Sequence, residues 1–249
     1  LTRKPRTGGA GLPEFVNGGN NNELRLALNA LPTQAPSTPQ RTALNDGTAT
    51  PRHSHIFKRE SHGFYVEPSW VSIRLFAVED FGATGARILD PACGWGRILQ
   101  AAKLAGFTVV GSDIVDRRND FGAFTQFPFT ICDFLARSPI GSAWSVVCNP
   151  PFDHSEAFCD RALKIATYKV AVLVPLRRLP AARWLRQLPL ETIYLLTPRP
   201  SMPPGAWIAG GGKVGNGIAD FVWLVFNLQM PAGREPRLRW LQRRGHDGK

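Results

Sequence analysis

The chain has 249 residues, 43% of them hydrophobic, and its 30 Lys and Arg against 19 Asp and Glu give a formal net charge of +11. That length supports a real core, most simply one catalytic domain with tails. The charge favours a polyanionic partner, nucleic acid above all, and no apolar run reaches the length of a membrane-spanning helix.

Residues 1–55 are rich in Asn, Thr, Pro, Gly and Ser and read as a flexible basic arm. Arg3, Lys4, Arg6, Arg25 and Arg41 are its candidate phosphate contacts. No apolar leader is visible, so a cytoplasmic location is expected. Residues 56–230 read as the catalytic domain, with recognition elements in 176–220, and 231–249 as a basic C-terminal tail. Within the domain a helix is predicted over 68–81, a first strand over 86–89, and a helix over 98–105. Strands follow over 107–111, 129–132 and 146–148. A helix over 154–166 then leads to a strand over 170–174, and later strands are predicted over 192–196 and 221–226. This alternation predicts an α/β, Rossmann-like fold: a mostly parallel sheet with helices on both faces. A basic helical stretch is expected after residue 174, and its Arg177 and Arg178 are candidate phosphate contacts. The four cysteines, Cys93, Cys132, Cys148 and Cys159, lack zinc-site spacing and read as buried reduced thiols, with no metal expected.

Two motifs carry chemistry. The first strand runs into Asp90-Pro91-Ala92-Cys93-Gly94-Trp95-Gly96. Two glycines opening a helix after a buried strand let the backbone approach a ligand closely. The acid in the turn would repel a pyrophosphate, so Asp90 suits a cationic or amino-bearing ligand. The fourth strand runs into Asn149-Pro150-Pro151-Phe152. The Asn149 side-chain oxygen and a nearby carbonyl can accept hydrogen bonds from an NH2 group, the prolines limit backbone motion, and Phe152 can stack on a planar ring. Asp90, Asp113, Asp133 and Asn149 all fall at predicted strand ends, which line one crevice in an open parallel sheet.

Together the two motifs resemble S-adenosylmethionine-dependent methyltransferases, in particular adenine-N6 DNA methyltransferases of the small bacterial or phage type. The resemblance covers about residues 63–228. It implies seven strands with the last antiparallel, S-adenosyl-L-methionine as cofactor, and methyl transfer to the exocyclic amine of a flipped adenine in duplex DNA. It assigns Tyr65, Asp90, Pro91, Ala92, Gly94, Gly96, Asp113, Ile114, Asp133 and Phe134 to the cofactor. Within that set, Asp113 would meet the ribose diol, and Asp133 and Phe134 the cofactor's adenine. It assigns Asn149, Pro150, Pro151 and Phe152 to catalysis and the target base. Arg177, Arg178, Arg199 and Lys213 are the nucleic-acid candidates, the last two lying in an Arg-Pro segment and a Gly-rich loop. Asn-Pro-Pro-aromatic also occurs in enzymes that methylate RNA adenine or guanine or protein glutamine, which stand as alternatives. An inactive nucleic-acid-binding protein with the same fold is the non-enzyme alternative.

Overall fold

The computed structural model describes residues 63–244, apart from Phe121 and Lys213. The N-terminal arm, Lys213 and the last five residues therefore lie outside the described residues.

The first strand, β1 (Arg87–Asp90), sits inside the sheet, with parallel neighbours on both sides. Its neighbours are β2 (Thr108–Asp113) and β4 (Ala143–Cys148), and β3 (Phe129–Ile131) lies outside β2. On the other side come β5 (Ala166–Pro175), β7 (Phe221–Asn227), β6 (Leu190–Thr197) and β8 (Arg237–Gln242). The order is β3-β2-β1-β4-β5-β7-β6-β8. All pairs are parallel except those made by β7, which runs antiparallel to both β5 and β6. This is the Rossmann-like arrangement the sequence predicts, with one strand more than the resemblance implies. The extra strand, β8, lies in the segment read as a basic tail.

The central strands read as continuous apolar runs because both faces are covered. Ile88 enters one core with Val147, Leu173 and Trp223, while Leu89 enters the other with Val146, Val172 and Leu224. Successive residues thus serve opposite faces, as the pleat requires. The helices α1 (Ser69–Val78) and α2 (Arg97–Leu104) cover the first face, and α3 (Ser155–Ile165) covers the second. α1 stops three residues earlier than predicted. Glu79 leaves the helix in an extended conformation and turns its buried carboxylate to Lys169 and to the Tyr194 hydroxyl, 2.7 Å away. Lys169 also reaches Glu191 at 3.0 Å, and Glu191 pairs with Arg237 of β8 at 2.7 Å. This ionic cluster ties α1, β5, β6 and β8 together at the end of the sheet remote from the carboxyl ends of β1 and β4.

The basic helical stretch expected after β5 is instead two 3-10 segments, Leu176–Ala181 and Arg183–Gln187. Pro180 has no N–H to give and disfavours an α conformation at Leu179, so an α-helix does not propagate. A short helix not predicted from sequence, α4 (Gly205–Ala209), lies in the connection between β6 and β7.

Candidate active site

The carboxyl ends of β1, β2, β3, β4 and β5 converge on one cleft of about 600 Å³. Residues 63–67, which precede α1, close its other side. Of the sequence candidates, Tyr65, Asp90, Pro91, Ala92, Gly94, Asp113, Ile114, Asp133, Phe134, Asn149, Pro151, Phe152, Arg177 and Arg178 all line it. Gly96 stands behind the glycine turn as the left-handed N-cap of α2. Pro150 is buried behind the wall. Arg199 is not in the cleft; it forms a forked pair with Asp220, 2.6 and 3.2 Å.

The glycine turn is built by close packing. Gly94 has φ +48°, and a Cβ there would come 2.5 Å from the Phe64 ring. A Cβ on Gly96, at φ +75°, would come 2.7 Å from the Phe124 carbonyl. Neither position accommodates a side chain without displacing its neighbours. The Gly94 N–H donates to Asp113 at 2.9 Å, which locks the turn to the end of β2. Asp113 also accepts from the Val115 N–H at 3.0 Å and from Arg117 at 2.8 Å. Of about four acceptor positions on a carboxylate, three are therefore in use, leaving one for a diol. Asp133 accepts from the Leu135 N–H at 2.9 Å, and Phe134 is buried against Phe158.

Asp90 is fully buried. One carboxylate oxygen accepts from the Ala92 N–H at 3.1 Å; the other has no partner. Burial pushes its carboxyl well above the ordinary range, and the charges of Glu67 and Asp113 push the same way. An anion in that position lacks a cation, which a ligand can supply.

Asn149 shows a similar asymmetry. Its Nδ2 donates to the Tyr65 carbonyl at 3.0 Å and to a Glu67 carboxylate oxygen at 2.9 Å. A backbone carbonyl only accepts, so the amide orientation is fixed, and Oδ1 is left buried with no partner. Glu67 is a functional candidate to which the sequence reading gave no role. Burial raises its carboxyl, while its own backbone N–H, Asn149 and Arg97 act to lower it. Arg97, also missed, donates to the Glu67 carbonyl at 2.9 Å. The local signal that points to Glu67 is its place two residues after Tyr65 and just before Pro68, since the contact to Asn149 spans 82 residues.

Phe152 does not stand open as an isolated stacking surface. Tyr65 lies nearly parallel to it at 5.5 Å, and Phe221 packs tilted at 5.4 Å. The segment carrying Tyr65 is pinned to the β6–β7 connection, with Val66 N–H on the Pro203 carbonyl at 3.0 Å and Gly205 N–H on the Phe64 carbonyl at 3.1 Å.

No protein-family model matches the chain, and no curated protein matches it. Solved structures do. A type I restriction-modification methyltransferase subunit from Streptococcus thermophilus is 11% identical over 74% of this chain, with a TM-score of 0.49. This chain spans 48% of that subunit's length. A TehB-like S-adenosylmethionine-dependent methyltransferase from Corynebacterium glutamicum is 18% identical over 63% of this chain and 86% of its own, with a TM-score of 0.42. Magnesium protoporphyrin IX methyltransferase from Synechocystis, solved with S-adenosylmethionine bound, is 17% identical over 63% and 76%, with a TM-score of 0.37.

Proposed function

We propose that the protein is an S-adenosylmethionine-dependent methyltransferase that modifies the exocyclic N6 amine of adenine in DNA. The observation that carries this reading is the buried, unpartnered Oδ1 of Asn149, fixed in orientation on a residue that lines the same cleft as Asp90, one of whose oxygens is also unpartnered. One oxygen suits an N–H of an aromatic amine, the other a cationic end of the cofactor. The glycine turn admits a ligand close to the backbone, so the donor set and the cradle fit S-adenosylmethionine. Asp90, the Pro91-Ala92 turn, Gly94, Asp113, Ile114, Asp133 and Phe134 are the residues that would hold it. When bound, it supplies an electrophilic methyl group on a sulfonium.

The remaining work falls to the chain. An adenine amine is a weak nucleophile because its lone pair is delocalised into the ring. Asn149 Oδ1 accepts one of its N–H groups, favours a pyramidal nitrogen, and stabilises the positive charge that develops there. Glu67 and the Tyr65 carbonyl hold the Asn149 amide, so this acceptor is not reorganised during reaction. No strong base is needed, because the proton leaves after the transfer. Tyr65 and Phe152 supply the aromatic wall for a base extruded from the duplex. Arg177 and Arg178 at the cleft, with the net charge of +11, suit the phosphates around it.

The test is incubation with labelled S-adenosylmethionine and, in parallel, duplex DNA of mixed sequence and cellular RNA, followed by nucleoside analysis. Labelled N6-methyladenine is the expected product. Label in RNA alone would move the substrate to RNA, and label in neither would refute a nucleic-acid amine as the acceptor.

A further inference from the structure

Arg97 is an ill-placed cation for a purely structural residue. It occupies the first position of α2, where the helix dipole disfavours positive charge, and that turn holds no acidic residue. Arg97 lines the cleft, and its guanidinium is partly withdrawn from water. One N–H donates to the Glu67 backbone carbonyl, and the group rests 5.7 Å from the Trp95 ring centre. Among the described residues it forms no ion pair. A guanidinium has five donors in a planar fork matched to a carboxylate. Asp90 presents the converse case in the same cleft: a buried carboxylate oxygen with no donor. The two opposite charges do not satisfy one another. A ligand bearing both an anion and a cation close together satisfies both, and an α-amino acid end is such a ligand.

We infer that Arg97 recognises the α-carboxylate of the cofactor's amino-acid end, with Asp90 receiving its ammonium. The inference rests on the proposed cofactor and adds the residue that reads its carboxylate. It also explains the donation to the Glu67 carbonyl. That bond leaves most of the fork free while holding the arginine against the segment that closes the cleft. Arg97 is thereby a binding residue for the cofactor and leaves Asn149 to act on the acceptor amine.

The experiment is calorimetric binding of two probes to the full chain: S-adenosylhomocysteine and its decarboxylated analogue, which keeps the ammonium. The wild-type protein is expected to prefer the carboxylated probe by about 10- to 100-fold, the range of a charge-assisted hydrogen-bonded pair. In Arg97→Met that preference is expected to vanish, the affinity for the decarboxylated probe staying near wild type. Arg97→Lys, which keeps the charge without the fork, should retain part of it. Equal loss for both probes would mean that the side chain only supports the cleft wall, and an undiminished preference would place the carboxylate elsewhere; either result overturns the inference. If the wild-type protein binds neither probe, the cofactor reading itself falls, a result distinguishable from both.

Discussion

Replacing Asn149 with Ala removes one atom group with two separable jobs. Oδ1, buried and unpartnered, is the proposed acceptor for the reacting amine, and Nδ2 joins the Tyr65 carbonyl and Glu67 at 3.0 and 2.9 Å. Loss of an aligned transition-state acceptor costs about 2–4 kcal/mol, or roughly 10²–10³ in rate. Loss of Nδ2 leaves a buried carbonyl and a buried carboxylate each short of a donor, at about 1–3 kcal/mol apiece. The variant should therefore melt lower and turn over far more slowly, while binding S-adenosylhomocysteine with little change, since the Asp90 to Gly94 turn makes no bond to Asn149. Single-turnover rates at saturating cofactor and DNA separate chemistry from binding. Thermal melting reports the structural share. A turnover within a few-fold of wild type under those conditions would refute Asn149 as the catalytic acceptor.

Asp90→Asn should weaken cofactor binding yet stabilise the ligand-free protein at neutral pH, as melting curves would register. Its sign follows from burial: the folded chain holds the Asp90 proton to a higher pH than the unfolded chain. Asp90's contribution is thus fully present below the ordinary carboxylate pKa and is lost as pH rises through the raised one, so the Asn variant should lack that decline. Glu67→Gln keeps an acceptor for Asn149 Nδ2 but removes the charge, so turnover should fall with cofactor affinity retained, and Glu67→Ala should lose more. Equal rates for the two variants would deny the hydrogen bond any role. Tyr65→Ala should raise the KM for DNA more than it lowers kcat, because it removes half of the aromatic wall; an unchanged KM would exclude Tyr65 from base binding. Glu79→Ala leaves Lys169, buried among β5 and β6, with Glu191 alone and the Tyr194 hydroxyl without its acceptor, and should cost about 1–3 kcal/mol in denaturant unfolding without altering cofactor affinity.

The sheet and the strand-end residues were legible because their signals are local. A buried strand such as residues 146–148 is an apolar run, and the candidate tetrapeptide at its end is read in the same few letters. β8 was not legible. Arg237 and Arg239 alternate with Leu238 and Trp240, but both apolar side chains are exposed, so the segment lacks the amphipathic burial that marks a strand. Its backbone ladder to β6 and the Arg237–Glu191 pair hold it instead, and neither is visible before the fold is known. The 3-10 turns after β5 failed for a different reason. Basic and apolar residues there mimic a helical face, and Pro180 overrides that pattern through the backbone. Glu67 and Arg97 were hidden by distance along the chain. Their contacts span 82 and 30 residues, and their types alone permit ordinary surface roles.

The charge arrangement links fold to function more closely than the net value does. The chain as a whole is strongly basic, yet the cleft is lined by three carboxylates that burial has largely withdrawn from water, Glu67, Asp90 and Asp113. Arg117 offsets Asp113 directly, while no cation pairs with Asp90 or Glu67 within ion-pair distance among the described residues. In the proposed reading, the net positive charge would draw a polyanion toward the mouth, and acids at the floor would turn its phosphates away from the interior. What the floor accepts is a cation or a neutral donor of N–H groups. A sulfonium cofactor and an aromatic amine meet those two requirements, and a phosphate meets neither. The acids are costly to bury and make no compensating ion pair at Asp90, so fold stability does not account for them. Their position at the carboxyl ends of β1 and β2 and in the segment before α1 suits the positive charge that the proposed methyl transfer would bring through the cleft.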